Sequence, residues 1–273
     1  MRWLNSSNGL RRGAAALALS AVLFGGTLAA RPQARRLQKK NPQADPAAPV
    51  LRLPFLAGEK LEYRCGWQFY NGGATLKLAV MEQRTFSGRS AWHFQAQAVT
   101  LNPLRYVFAL DDQFDSYSAA PGITSLQYEA YIREQNKHED RIFRMSHEGE
   151  PAPDGGTAVR VPAGTRDPLG ALYFLRAVDW ARTSAVTMPV YDGKKLYELR
   201  ARLGLDADEI EVPAGSSTAS RIDLRVYDRG RELSQVRISV WIAHDSAHTP
   251  VRVEADLPFG SVRAELSHAE GQP

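Results

Sequence analysis

From Leu61 onward the chain obeys a period of two, apolar and polar side chains taking turns, and that rhythm leaves room for little besides strands with one buried and one wetted face. Leu61, Tyr63, Cys65, Trp67 and Phe69 fall on one face, Glu62, Arg64 and Gln68 on the other. Asn71-Gly72-Gly73 has the composition of a hairpin turn, after which Ala74, Leu76, Leu78 and Val80 resume the alternation. Trp92, Phe94, Ala96 and Ala98 alternate with His93, Gln95 and Gln97, and Leu104, Tyr106, Phe108 and Leu110 repeat the pattern after Pro103. Further strands are expected at 124–133, 138–146 and 157–162, with Asn136-Lys137 turning between the first two. Asp192-Gly193, Pro213-Ala214-Gly215, Arg229-Gly230 and Pro258-Phe259-Gly260 then punctuate alternating runs that continue to Leu266.

One segment breaks the rhythm. Asp167-Pro168-Leu169-Gly170-Ala171-Leu172-Tyr173-Phe174-Leu175-Arg176 reads as a helix: Asp167 can cap the free amides, and Pro168 suits the first helical position. The residues that follow are apolar nearly all round, so this helix is expected to be buried against a sheet and to fray near Trp180. No period of twenty to fifty residues repeats. The fold class is therefore all-β: an antiparallel curved sheet, or a partly open barrel or sandwich, of about twelve strands with one buried central helix, forming a single domain over 53–270.

The charge of the chain changes sign along its length. Residues 1–30 carry Arg2, Arg11 and Arg12 and no acid, followed by the apolar run Gly13–Ala30; this reads as a signal peptide cut near Ala29 or Ala30, and hence as export to the bacterial periplasm or cell envelope. Left uncut, the eighteen-residue run would reach about 27 Å as a helix, just enough for an amino-terminal anchor. Residues 31–52 set Arg31, Arg35, Arg36, Lys39, Lys40 and Arg52 against Asp45 alone, in a Pro- and Ala-rich tether. It reads either as a solvated linker or as an arm that makes peripheral contact with anionic lipid headgroups. From Leu53 onward 25 basic residues face 29 acidic ones, so the body has no basic field to attract nucleic acid.

Chemistry-bearing motifs are sparse. The chain lacks a Gly-rich phosphate cradle, a serine elbow and a nucleotide fingerprint, which implies no cofactor and tilts the reading away from an enzyme. Cys65 is the only cysteine, so an internal disulfide and paired-thiol metal binding are ruled out; a buried core side chain is expected. His244 and His248, with Asp245, could offer two imidazoles and a carboxylate to zinc, but a polar turn accounts for the same residues, and no metal site is assigned. Asp111, Asp112 and Asp115 place three carboxylates in five residues, where they could share calcium or a proton. The residue set lacks the glycine of a calcium loop, and the expectation is pairing with Arg133 and Arg141 on neighbouring strands.

Six stretches in order resemble landmarks of an exported bacterial family, domain of unknown function 3108. They are Phe55-Leu56-Ala57-Gly58-Glu59-Lys60-Leu61-Glu62-Tyr63, Asp111-Asp112-Gln113-Phe114-Asp115-Ser116-Tyr117, the Asp167–Arg176 helix, Val190-Tyr191-Asp192-Gly193-Lys194-Lys195-Leu196-Tyr197, Val212-Pro213-Ala214-Gly215 and Pro258-Phe259-Gly260-Ser261-Val262. The resemblance covers about residues 54–268 and implies a β-rich exported domain, without an activity or catalytic residues to carry across. Cys65 and Trp67 depart from the pattern.

Two functional classes fit these readings. In the first, a curved sheet wraps a lipid or other apolar ligand and the buried helix plugs or gates the opening; Trp67, Trp92, Tyr106, Phe108 and Tyr173 would line the cavity. In the second, the domain is an envelope scaffold that engages another protein, and the same aromatics are ordinary core. A hydrolase is a distant third.

Overall fold

A computed structural model describes residues 49–68, 70–135, 137–147, 157–258 and 260–273. The expected signal peptide and nearly all of the basic tether lie outside the described residues. The strands are β1 (Lys60–Trp67), β2 (Tyr70–Phe86), β3 (Arg89–Thr100), β4 (Asp111–Ala119), β5 (Thr124–Glu134), β6 (Lys137–His147), β7 (Thr157–Val161), β8 (Ala185–Tyr191), β9 (Leu196–Val212), β10 (Gly215–Asp228), β11 (Arg231–Ala243), β12 (Pro250–Leu257) and β13 (Gly260–Glu270). Two helices interrupt them, α1 (Leu104–Val107) and α2 (Pro168–Ala177).

All thirteen strands join one sheet in the order β7-β6-β5-β4-β3-β2-β1-β13-β12-β11-β10-β9-β8. This is a meander cut once and rejoined, with β1 beside β13, and it curls into a nearly closed barrel. Its free edges meet where Arg166 exchanges backbone hydrogen bonds with Pro189 and Tyr191 of β8. The Phe143 ring packs across the same seam, so close to Gly193 that a Cβ there would sit 2.8 Å from it. β7 runs parallel to β6, while the other strand pairs described are antiparallel, as expected.

The period-two residues do what their spacing demands: Leu61, Tyr63, Cys65, Leu76, Leu78, Val80, Phe94 and Ala96 all point into one continuous core. One expected turn is misplaced. Trp67 pairs with Tyr70, so β1 turns at Gln68, and Asn71-Gly72-Gly73 belongs to β2. Gly73 is required by packing: a Cβ there would lie 2.9 Å from the Tyr70 ring and from Leu104. The stretch Leu104–Leu110 likewise departs from its expected strand. Its first four residues form α1, and Thr100 Oγ1 clamps the return by donating to Phe108 O (2.9 Å) and accepting from Leu110 N (3.0 Å).

Antiparallel pairing sorts the connections to two ends. The β2–β3, β4–β5, β9–β10 and β11–β12 turns share one end with α2, which lies across it as a plug. Asp167 caps α2 as the sequence requires, accepting from Gly170 N (2.8 Å) and from the hydroxyls of Ser116 (2.6 Å) and Ser125. Burial pushes the Asp167 carboxyl above its ordinary value, and the serine hydroxyls pull against that rise. At the other terminus Arg176 and Glu59, both with 0% side-chain exposure, form a two-pronged ion pair at 2.7 and 2.9 Å. Arg176 also donates to Ala247 O (2.9 Å). Burial alone would lower the Arg176 guanidinium, but its hydrogen bonds and attraction to Glu59 hold it above its usual value.

Candidate functional site

At the opposite end, where β1 turns into β2 and β3 leads through α1 to β4, the core is hollow. A cavity of about 240 Å³ lies between Cys65, Gly66 and Trp67 of β1, Tyr70, Gly73 and Ala74 of β2, Thr100, Leu104, Phe108, Leu110 and Val262. The hollow follows from side-chain size. Cys65 pairs with Ala74, which pairs with Thr100, so this inward row is small throughout. The rows nearer the plug carry the larger Tyr63, Leu76, Leu78 and Phe94. None of the described lining residues is charged, and the Thr100 hydroxyl is consumed by its backbone clamp. Burial pushes the Cys65 thiol up to about 12, so it presents a neutral wall. Trp67 Nε1 is buried with no hydrogen-bond partner among the described residues.

The mouth carries apolar side chains that point into water. Tyr70 lines the cavity and is 46% exposed; Leu101 is 40% exposed, Tyr106 82% and Val107 75%. Backbone hydrogen bonds hold these residues together: Leu101 N donates to Gly73 O (2.9 Å) and Arg105 N to Leu101 O (2.8 Å). Arg105, the cation of α1, is engaged by both oxygens of Asp111 at 3.0 and 2.5 Å.

The five aromatics expected to line a cavity separate into two groups. Trp67 and Phe108 line it; Tyr106, on α1 between Leu104 and Phe108, is 82% exposed and does not. Trp92 and Tyr173 lie in the core at the plugged end, where Tyr173 of α2 stacks on Phe94 at 3.8 Å and Phe55 meets Trp92 and Tyr173 edge-on at 5.3 Å. Sequence reasoning passed over Tyr70, Leu101 and Val107, and it treated Cys65 and Ala74 as ordinary core. The available signal was the run of small residues at 65, 66, 73 and 74.

The acidic stretch does not pair as expected. Alternation along β4 turns Asp111 and Asp115 outward and Asp112 inward, so the three carboxylates never meet one partner. Asp111 takes Arg105, and Asp115 takes His93 Nε2 (2.6 Å), Gln95 (3.0 Å) and Gln113 (2.8 Å). Burial would raise the Asp115 carboxyl, but these three hydrogen bonds hold it below its ordinary value. Arg133 contributes only its backbone N–H, to Asp112 Oδ1 at 2.7 Å; its guanidinium goes to Asp140 (2.6 Å), and that of Arg141 to Glu139. Asp112 is 2% exposed, its Oδ2 has no partner among the described residues, and burial raises its carboxyl to about 6. His244 and His248 part company as well, toward Ser220 (2.8 Å) and Arg176 O (2.8 Å). Among the described residues no three His, Cys, Asp or Glu side chains gather where a metal ion could be held.

The sequence matches the model of a family described as protein of unknown function (DUF3108) over residues 62–267. The chain belongs to the DUF3108 family. No curated protein sequence matches this DUF3108 protein. Among solved structures it is similar to a beta-barrel-like protein of domain of unknown function DUF1849 from Brucella abortus, with a TM-score of 0.53 and 10% identity over 80% of this chain and 99% of that one. At that identity the likeness speaks for a shared barrel-like fold alone. A lipoprotein candidate from Parabacteroides distasonis (TM-score 0.37, 10% identity, 82% and 100% of the two chains) is more distant. So is a candidate exported protein from Bacteroides fragilis (0.34, 8%, 81% and 99%). At those scores neither bears on the argument.

Proposed function

We propose that this DUF3108 domain is a non-catalytic binding or carrier module of the cell envelope that takes the apolar end of a ligand into the cavity beside α1. The observation that carries this reading is the uncharged hollow of about 240 Å³ with an apolar rim at a barrel end whose other end is plugged. Its size sets the cargo. Dry cavities of about 150 Å³ take benzene, and pockets for whole drug-sized ligands begin at about 300 Å³. A ring or a short stretch of acyl chain fits, and the remainder of the ligand stays outside. The basic start and apolar run of residues 1–30 support an exported location.

Native mass spectrometry of the protein recovered from its own envelope tests the reading, with extraction to identify whatever is released. A stoichiometric apolar adduct that is lost in Ala74→Trp, which fills the hollow, is the expected result. A clean apoprotein mass under mild extraction overturns it and leaves the exposed rim as a contact surface for a protein partner, the scaffold reading.

A further inference from the structure

We propose that the α1 end of the barrel docks on an uncharged lipid surface, with Tyr106 and Val107 entering the interface, so that ligand passes between bilayer and cavity without crossing water. The proposal rests on the carrier reading and adds the partner and the face. Three observations point to it. Four exposed apolar side chains, Tyr70, Leu101, Tyr106 and Val107, gather at this end: Tyr70 and Leu104 both crowd Gly73, Leu101 is hydrogen-bonded to Gly73, and α1 follows at once with Tyr106 and Val107, the most exposed of the four. The cavity wall surfaces within that patch at Tyr70, so whatever covers the patch also covers the entrance.

The third observation concerns charge, and it chooses among surfaces. Arg105 projects from α1 between the apolar residues, yet Asp111 neutralises it with two hydrogen bonds, and no charged residue lines the hollow. A patch that cancels its own cation has nothing to offer an anionic headgroup. It matches a zwitterionic surface, where a phenol ring sits at headgroup depth and an aliphatic side chain lies just below. A tyrosine and a valine together give a weak, reversible contact, which suits a carrier that must leave again.

Flotation of the mature protein, freed of residues 1–30, with pure phosphatidylcholine vesicles, alongside the double variant Tyr106→Asp with Val107→Asp, tests this. The wild type is expected to float with the vesicles and the double variant to lose about tenfold or more in partition. Binding of a soluble fluorescent apolar probe is expected to stay within about twofold, since neither side chain lines the cavity. Equal flotation of the two proteins overturns the docking face, whatever the probe shows. Flotation that requires phosphatidylglycerol and vanishes in high salt assigns the contact to the basic tether, and overturns it too. Absence of probe binding in both proteins, with the flotation difference intact, overturns the carrier reading while upholding the docking face.

Discussion

Where α2 crosses the barrel, buried charge is paired, Glu59 with Arg176 and Asp167 with two serine hydroxyls and a helix amide; where α1 folds over the far end, the described lining is uncharged and the space unfilled. Both ends close the same sheet, so the difference is one of side chains. A buried polar lock tolerates one arrangement only, because any loosened partner is left desolvated. An apolar hollow lacks that directional constraint and can accept occupants of several shapes. The domain thus concentrates its specificity of fold at the plugged end and leaves the open end free to serve another purpose.

The largest effect is expected at the lock. Arg176→Met should cost about 3–5 kcal/mol by urea denaturation, since Glu59 is left charged and unpaired in the core. Adding Glu59→Leu should recover most of that loss. If the single variant unfolds at the wild-type midpoint, the contrast between the two ends fails.

Asp112 is the exception that sharpens the comparison, a carboxylate turned inward near the open end with one oxygen unpartnered. Its folded-state value of about 6 lies above its ordinary 3.8. The native state therefore holds a proton that the unfolded chain has released, and the associated stability is full below about pH 4 and lost as the pH rises through 6. The loss amounts to at most about 3 kcal/mol. Asp112→Asn should flatten stability between pH 4 and about 7 and raise it at pH 8; an unchanged pH profile would show that the carboxyl finds water or a partner.

Next in size, Asp167→Ala should cost about 2 kcal/mol, because it removes the helix cap and strands the Ser116 and Ser125 hydroxyls. Smallest is Ala74→Leu, which adds bulk where the hollow can receive it and should shift stability by less than about 1 kcal/mol, measured by the same denaturation. A cost above about 3 kcal/mol there would mean that the open end is as tightly packed as the plugged one.

The parts legible in the sequence share a reason: they are local. Alternation, the Asp167-Pro168 helix start and the Asp192-Gly193 turn each act within a few residues, and each appears where expected. The α1 turn was misread because Leu104, Tyr106, Phe108 and Leu110 alternate as a strand would, while Thr100 and the packing over Gly73 decide otherwise. The misplaced first hairpin has the same origin: Gly73 serves a close approach to Tyr70 and Leu104 and not a turn. The lock was out of reach altogether, since Glu59 and Arg176 lie 117 residues apart and neither is unusual in its own neighbourhood. The cavity was half legible: the aromatics were visible, but small residues signal a hollow only once pairing sets Cys65, Ala74 and Thr100 in one row.

The seam between β1 and β13 has a consequence in time. Lys60 pairs with Glu270 across 210 intervening steps of chain, and the two strands they belong to sit at the middle of the sheet. A polypeptide delivered amino-terminus first, from a ribosome or through a translocation pore, exposes one flank of β1 from the moment it emerges until almost the last strand arrives. Each half can meander on its own, but the barrel cannot round off before then, and long-range closure of this kind is slow. During that wait β1 offers an unpaired edge with Leu61, Tyr63 and Cys65 beside it. A chain built this way has reason to depend on a holding chaperone during delivery, and a truncation that removes only β13 would leave two half-sheets joined only across the β8 seam and through α2.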